Sequence, residues 1–488
     1  MIRPLLVVGP PGSCRSEFAG LVARRVSCRV KEADTTTLEV LLAKGVNEST
    51  VVDVASEAWL DRLTRVRALD RSVVVSVESK LGSDGVSTTG GTDLWRYVTV
   101  PFRESHQIVS YSSEGRDAAV DRVVEVWRRD PIAVAAGERS YVIDVGQGIF
   151  EGRCESLLAR DVPTLFVTDS NVEKLYGERV RRVLVRARSR PVVAVFAAGE
   201  EQKHLGTLQR ILEEAQRGGI DRSCRILAFG GGVVTDVGGF VAATWMRGLQ
   251  WISAPTTLLG MVDASVGGKT AVDLGDGKNA VGAFWQPSGV ICDVQWLRSE
   301  SVRNYSSALA EVVKTAIIGD PELFTLLEEN CDSVISRDAV FMADVVRRCI
   351  RVKARIVGLD ERELGLRAVL NLGHTIGHAL EAVGGLGRRT HGEAVSLGLV
   401  AACRLGVRLG MTPASMGERV VLLLRKLGLP FELGAEELRE ASGIVGLDKK
   451  RMGSSVKFVF VRALGDVVVR PVALEELRSL MPELAERA

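Results

Sequence analysis

The chain of 488 residues has little of what would mark it for a membrane, a nucleic acid or an oxidising compartment. Its eight cysteines, at 14, 28, 154, 224, 292, 331, 349 and 403, include no CxxC pair. That excludes a disulfide framework and a thiolate zinc site and leaves buried free thiols as the expectation. No stretch reaches the ~18 uninterrupted apolar residues of a membrane span, and the opening MIRPLLVVGPPGS has too brief an apolar run for a signal peptide. A cytoplasmic protein with no membrane partner is expected. Net charge is nearly absent too: 63 Lys plus Arg oppose 61 Asp plus Glu, formally +2. Such a balance gives no field for wrapping nucleic acid, so anion binding has to be local and the substrate small. Lysine is scarce, 13 against 50 arginines, and histidine scarcer still, with five.

What is present is core material. At 46% hydrophobic residues the chain can build several domains. The first ~130 residues alternate between strand and helix: RPLLVVG and RSVVVSV read as strands, SEFAGLVARRV and DAAVDRVVEVWRRD as helices. Asp130-Pro131 marks a boundary, because the residue before proline is pushed out of the helical region. Domains are therefore placed at 1–132, 133–300 and 301–488. In the second, TLFVTDS, PVVAVFA, RILAFGGG and WISAPTT are short apolar segments ending in Gly, Ser, Thr or Asp, with helical stretches such as TLQRILEEAQRGG between them. This is the pattern of a parallel α/β sheet, whose ligands sit at the carboxyl ends of the strands. From about Ser301 long helical periodicity takes over (ALAEVVKTAII, AVFMADVVRRCIRVKARIV, GERVVLLLRKLG) until KFVFVRALGDVVV, which makes the third domain mainly helical.

Three constellations carry chemistry. Gly230-Gly231-Gly232 follows the strand RILAF and opens a helix, so backbone can approach a phosphate there. The GxGxxG fingerprint is nevertheless broken by Thr235. A second segment, APTTLLGMVDASVGGKTAVDLGDGKNAVGAFWQP, gathers Thr256, Thr257, Asp263, Lys269, Lys278 and Asn279 among glycines. A loop of that density is costly unless backbone must come close to a ligand. Its GGKT is not a phosphate loop, since Asp263 stands where the first glycine is needed. With Arg247 of WMRG nearby in sequence, the segment suits a phosphorylated, hydroxylated substrate. Thirdly, His374, His378 and His391 fall within 18 residues. His374 and His378 are one helical turn apart, and two imidazoles plus a carboxylate make a workable catalytic zinc site. Spacing leaves the carboxylate open among Glu311, Glu381, Glu393 and others.

From about Gly137 onward these motifs together resemble the 3-dehydroquinate synthase family. GEEQKHLGTL is similar to the family's PGEQxK segment, GGGVVTDVGGFVAATWMRG to its GGGVxxDxxGFxAAxxxRG, and AEVVK, RVKARIV, LRAVLNLGHTIGHALE, HGEAV and LDKK follow in family order. The resemblance implies a synthase-type fold, with a parallel α/β NAD-binding lobe and a mainly helical metal-binding lobe. It also implies NAD- and zinc- or cobalt-dependent conversion of 3-deoxy-D-arabino-heptulosonate 7-phosphate to 3-dehydroquinate and phosphate, in a homodimer. Another sugar-phosphate cyclase is the alternative. By the same resemblance the metal ligands are Glu311, His374 and His391, which leaves His378 as a phosphate- and proton-handling group. Lys269, Asn279, Lys314, Lys353, Arg367 and Asn371 hold the substrate, Arg247 and Lys449 or Lys450 clamp its phosphate, and Asp263 anchors the nicotinamide side. NAD lies on Gly231, Gly232 and Asp236, with Thr256, Thr257 and Lys278. Its adenosine portion is held by Asp169, Asn171, Glu200 and Lys203.

The first 132 residues resemble shikimate kinase, a phosphate-loop α/β fold, but the loop is altered. In GPPGSCRS, Gly9, Gly12 and Ser16 remain, while Cys14 stands where glycine is needed and Arg15 where lysine belongs. A Cβ obstructs close approach to phosphate, and a guanidinium does not replace an ammonium point charge. ADTTTLE keeps one Asp of the DTD motif, and Glu78-Ser79-Lys80 replaces a GGG. The expectation is a degenerate kinase-like domain; phosphorylation of shikimate with ATP, making the chain bifunctional, is the alternative. Seven of the 13 lysines, at 203, 269, 278, 314, 353, 449 and 450, occupy the synthase motifs.

Overall fold

In the computed structural model of the chain the described residues are 5–9, 29–33, 50–55, 73–78, 97–102, 105–110, 131–136, 139–158, 161–275, 277–363, 365–384, 389–445 and 454–485. The chain divides into two compact units, Met1–Ala133 with Ser140–Val142, and Val134–Arg139 with Ile143–Ala488.

In the first unit β1 (Leu5–Gly9), β2 (Arg29–Ala33), β3 (Thr50–Ala55), β4 (Val73–Glu78), β5 (Tyr97–Phe102) and β6 (Ser105–Ser110) form one sheet in the order β2-β3-β1-β4-β5-β6. The first four pair in parallel, as strands joined by crossovers do. β5 and β6 are antiparallel to their neighbours, a departure from a wholly parallel sheet. RPLLVVG and RSVVVSV supply β1 and β4 as read from sequence; the two helices read in this region lie outside the described residues.

The larger sheet has the order β10-β9-β11-β12-β15-β8-β7. Its strands are β7 (Ile132–Val134), β8 (Tyr141–Gly146), β9 (Thr164–Asp169), β10 (Pro191–Phe196), β11 (Arg225–Gly230), β12 (Gln250–Pro255) and β15 (Gly289–Asp293). From β10 to β8 every pairing is parallel. The crossovers carry α1 (Phe150–Leu157), α2 (Ser170–Arg186), α3 (Leu205–Arg217) and α4 (Gly232–Thr244). β9, β11, β12 and β15 are buried almost throughout, which is why they read as apolar runs rather than alternations. α4 packs against this sheet through Val234, Val237, Phe240 and Val241. Gly238 permits the approach, since a Cβ there would stand 2.7 Å from that of Ala228. The segment read as a glycine-rich loop instead folds as a one-turn π-helical segment, Gly260–Ala264, followed by an antiparallel hairpin, β13 (Lys269–Leu274) and β14 (Gly277–Phe284). β14 is largely exposed, so no apolar alternation announced it.

The helical part comprises α5 (Val302–Gly319), α6 (Pro321–Glu329), α7 (Cys331–Ile335), α8 (Ala339–Leu359), α9 (His374–Gly384), α10 (His391–Arg408), α11 (Ala414–Lys426) and α12 (Ala435–Ile444). A hairpin, β16 (Ser455–Ala463) with β17 (Asp466–Ala473), and α13 (Leu474–Leu480) complete it. α5 is buried without a break from Ser307 to Ile318, so it forms the centre of this lobe and takes Glu311 and Lys314 inside with it. α9 and α10 touch backbone to backbone: a Cβ on Gly398 would lie 1.9 Å from the carbonyl oxygen of Gly373, and one on Gly377 2.9 Å from that of Ala394. Because no side chain can move to relieve the first clash, Gly398→Ala should force the helices apart and lower stability by about 3 kcal/mol. A shift of the urea midpoint at unchanged slope would register it.

Five of the cysteines, Cys154, Cys224, Cys292, Cys349 and Cys403, are buried free thiols, as expected from the sequence, and Cys331 is partly buried. Among the described residues no helix is long and apolar enough to cross a membrane.

Candidate active site

The carboxyl ends of β9, β11 and β12 form one rim. β11 ends at Gly230, whose carbonyl accepts the amide of Thr256 at 2.8 Å, so the two strand ends stay together. Gly231 caps α4 without any side-chain hydrogen bond. Nothing from a capping side chain therefore covers the first-turn N–H groups, and the surface there lacks bulk: a Cβ on Gly231 would come 3.3 Å from Thr257 and one on Gly232 3.7 Å from Ala264. This cradle fits the phosphates of a dinucleotide. Asp169, at the end of β9, caps α2 by accepting from Asn171 and Val172 at 2.8 and 3.0 Å. Lys203 Nζ reaches both Asp236 Oδ2 and Asn279 Oδ1 at 2.6 Å, tying the first turns of α4 to the β13–β14 hairpin. Burial pushes the Asp236 carboxyl up to about 6 even though Lys203 draws it down. Asn279 has φ of 54° and donates its amide to Asp273 at 2.6 Å, which fixes the bend beside Lys278. Glu200 lies in the single 3-10 turn preceding Lys203.

Facing the hairpin are α5, α8, α9 and α10. Glu311 and Lys314 sit one turn apart on α5, 1% and 2% exposed, with Nζ 2.5 Å from Oε2. Two buried charges are tolerable only as a pair. Oε1 of Glu311 has no hydrogen-bond partner; it faces Nε2 of His374 and Nε2 of His391, both at 3.5 Å. Ligand atoms of these three residues lie within 4.8 Å of one another. A buried, unpaired carboxylate oxygen between two imidazole nitrogens is the donor set of a divalent transition metal. Electrostatics agree. Burial works against ionisation of Glu311, but Lys314 and the imidazoles hold its carboxyl well below the usual range. Burial and then Lys314 push His374 down to about 3, the neutral form that binds metal. Burial also opposes charge on His391, yet Glu311 and Glu381 outweigh it and raise the ring to about 9, so the position attracts positive charge.

Around this cluster stand the other cations. Lys353, on α8, donates to the carbonyl and to Oδ1 of Asp263, at 2.7 and 2.6 Å. Burial, with Lys314 and Arg367 nearby, keeps Lys353 below the usual lysine range despite Asp263. Arg367 is buried against Gly267, where a Cβ would meet its Nη2 at 2.6 Å. Lys269 pairs with Glu363, which also accepts from Asn371 Nδ2 at 3.1 Å. Lys278 pairs with Glu381 of α9.

Most residues singled out from sequence thus fall on the rim or in the cluster. His378 lies beside the triad but not in it, its ring 5.1 Å from that of His374 and 5.8 Å from that of His391; the pairing of His374 with His378 suggested by spacing is corrected, because His391 is the ring whose Nε2 meets Glu311. Arg247 lies elsewhere in the chain. It is exposed, with φ of 68°, in the turn before β12, at the opposite end of that strand from Thr256. α4 runs the length of the sheet between Gly231 and Arg247, so within one chain the two stand at opposite ends of that helix. Lys449, Lys450, Gly12, Arg15 and Ser16 lie outside the described residues, and Gly9 closes β1. Sequence reasoning missed Glu363, the acid between Lys269 and Asn371; its signal was the acidic DERE just before GLRAVLN.

Sheet, glycine turn and facing acid–imidazole cluster define a two-lobed α/β enzyme with a dinucleotide-type rim and a metal-type centre. Comparison with known proteins agrees. The family profile "3-dehydroquinate synthase N-terminal" matches residues 193–307, and "3-dehydroquinate synthase C-terminal" matches 308–451. The 3-dehydroquinate synthase of Acidithiobacillus ferrooxidans is 43% identical over 342 residues, 69% of this chain and 93% of its own length. That of Pelotomaculum thermopropionicum is 43% identical over 344 residues, 70% and 93%. The chain belongs to the 3-dehydroquinate synthase family. Among solved structures, the 2-epi-5-epi-valiolone synthase of Streptomyces hygroscopicus subsp. jinggangensis, with NAD+ and Zn2+ bound, has TM-score 0.64 and 27% identity, over 71% of this chain and 97% of its own. A 2-deoxy-scyllo-inosose synthase complexed with carbaglucose-6-phosphate, NAD+ and Co2+ has TM-score 0.63 and 24% identity, over 72% and 99%, which supports the fold.

Proposed function

We propose that the chain is a 3-dehydroquinate synthase of the shikimate pathway, forming 3-dehydroquinate and phosphate from 3-deoxy-D-arabino-heptulosonate 7-phosphate. The observation that carries this reading is the orphaned Oε1 of Glu311 between His374 and His391, ringed by Lys314, Lys353 and Asp263. In this reading Glu311, His374 and His391 hold zinc or cobalt. Gly231, Gly232, Asp236, Thr256 and Thr257 hold NAD, with Asp169, Asn171, Glu200 and Lys203 toward its adenosine end. When bound, NAD supplies a reversible hydride acceptor and the metal a Lewis acid.

The chain's own residues do the rest. Lys314, Lys353 and Arg367 are buried and fixed by their neighbours, so they present positive charge to a multiply anionic substrate without reorganising. Lys269, Asn279, Asn371 and His378 are exposed on the facing surfaces, where they can close on hydroxyls and phosphate. Glu363 occupies Lys269 and Asn371 in the free chain and has to exchange them for substrate oxygens. We place the reaction in the cytoplasm and the chain in a homodimer.

Purified protein supplied with NAD in catalytic amount, zinc and the heptulosonate phosphate should release one phosphate per substrate consumed, with no NADH accumulating. Stoichiometric NADH would identify a dehydrogenase. Phosphate release only from a different sugar phosphate would identify another cyclase.

For residues 1–132 we propose a kinase-like fold that no longer transfers phosphate. The parallel order of β2, β3, β1 and β4 supports the fold, and Cys14 and Arg15 in the loop sequence support the loss.

A further inference from the structure

Each ring beside Glu311 has a second nitrogen, and what holds that nitrogen decides how the first is presented. For His374 the holder is backbone: Nδ1 lies 3.1 Å from the carbonyl oxygen of Leu372. For His391 it is a side chain: Nδ1 lies 3.4 Å from Oε2 of Glu381. Glu381 occupies the same face of α9 as His374 and His378, at positions i, i+4 and i+7. Its other oxygen, Oε1, takes the ammonium of Lys278 from β14. Glu381 is therefore on the far side of the imidazole from Glu311, and it does not belong to the group of three whose donor atoms converge.

Resting on the reading that Glu311, His374 and His391 are the metal ligands, we propose that Glu381 is a positioning residue, which holds His391 through Nδ1 so that Nε2 faces the metal, and which ties that ligand to the β13–β14 hairpin through Lys278. His391 needs such a holder. It is the first residue of α10, anchored through its backbone by the capping box of Thr390 and Glu393, and its side chain is the most exposed of the three, at 35% against 14% for His374 and 2% for Glu311. Arg303 engages Glu393 through both carboxylate oxygens, at 2.9 Å each, so Glu393 is committed to the helix start and cannot do this work. A carboxylate beside Nδ1 keeps the proton on that nitrogen, leaves the lone pair on Nε2 and makes it a better donor to a metal.

The experiment measures zinc affinity of the full-length apoprotein by competition with a chromogenic chelator, together with the visible spectrum of the cobalt-loaded protein. Glu381→Ala should weaken zinc binding ~10- to 100-fold and change the cobalt spectrum. Glu381→Gln, whose amide oxygen can still accept from Nδ1, should recover affinity to within ~5-fold of the parent, a rescue that a merely structural role would not give. Parent-like zinc affinity and cobalt spectrum in Glu381→Ala, with zinc lost in Glu311→Gln, would overturn the positioning role alone. Parent-like affinity in both variants would overturn the ligand set and the proposal with it. Should Glu381→Ala fail to fold, Glu381→Gln decides by itself, since a change in it as large as that expected of the alanine variant also overturns the proposal.

Discussion

Glu311→Gln should empty the metal centre and stop the reaction. The side chain keeps its size and its place on α5, so what changes is charge. Oε1, buried and without a hydrogen-bond partner, is stabilised by nothing except the two Nε2 atoms and the Lys314 ammonium, an arrangement that makes sense when a cation completes it. A neutral amide is a weak ligand for a divalent ion, and it also leaves Lys314 buried beside His374 with its nearest counter-charge gone. Lewis-acid stabilisation of several kcal/mol is at stake, and at ~1.4 kcal/mol per factor of ten its loss predicts at least about a 10³-fold fall in phosphate release. Metal content after dialysis should drop from about one ion per chain toward none, as measured by emission spectrometry. A variant that keeps both its metal and its turnover would show that Glu311 is not a ligand.

The three acids that spacing could not tell apart show where sequence runs out. Glu311, Glu381 and Glu393 all lie on helices near the histidine segment in the fold, and one-dimensional spacing treats them alike. Structure gives them different work because α5 is buried on all sides, α9 turns one face toward α10, and Thr390 begins α10. Glu311 is thereby aimed between two rings, Glu381 behind one of them, and Glu393 back at its own helix start. None of these directions is encoded in separation along the chain, since 62 residues intervene between Glu311 and His374 and the encounter depends on how helices stack. The parallel sheet was legible for the opposite reason: buried strands such as TLFVTD and RILAFG advertise themselves as apolar runs with a glycine or aspartate at the ligand end. Family motifs then singled out Glu311, His374 and His391, whose donor atoms the fold brings within 4.8 Å of one another. The hairpin was illegible because β14 buries little and exposes Lys278 and Asn279, so it carries no apolar alternation. Arg247 shows how far sequence neighbours can stand apart: it lies three positions before a six-residue strand, which separates it from Thr256 by roughly 20 Å.

Lys353→Met should cost about 10²- to 10³-fold in kcat/KM, the size of effect seen when one fixed donor is removed from a charge-stabilising site. Lys353 is nearly buried, reaches out of α8, and is held by two hydrogen bonds on Asp263, one of them to backbone. It thus fastens the π-helical turn that follows β12 as well as presenting its charge. Lys353→Arg should restore little, because the planar fork of a guanidinium cannot replace a point charge directed at a carbonyl and a carboxylate 2.6 to 2.7 Å away. Two roles can be separated by a double variant. Removing Lys353 alone leaves the Asp263 carboxylate without its partner, and that should lower stability by roughly 2 kcal/mol, less than for a fully buried pair because Asp263 remains partly open to solvent. Lys353→Met combined with Asp263→Asn removes the orphaned charge, so the urea midpoint should return most of the way to the parent value while phosphate release stays low. If turnover returned together with stability, Lys353 would be a strut for the turn and not a group that meets the substrate.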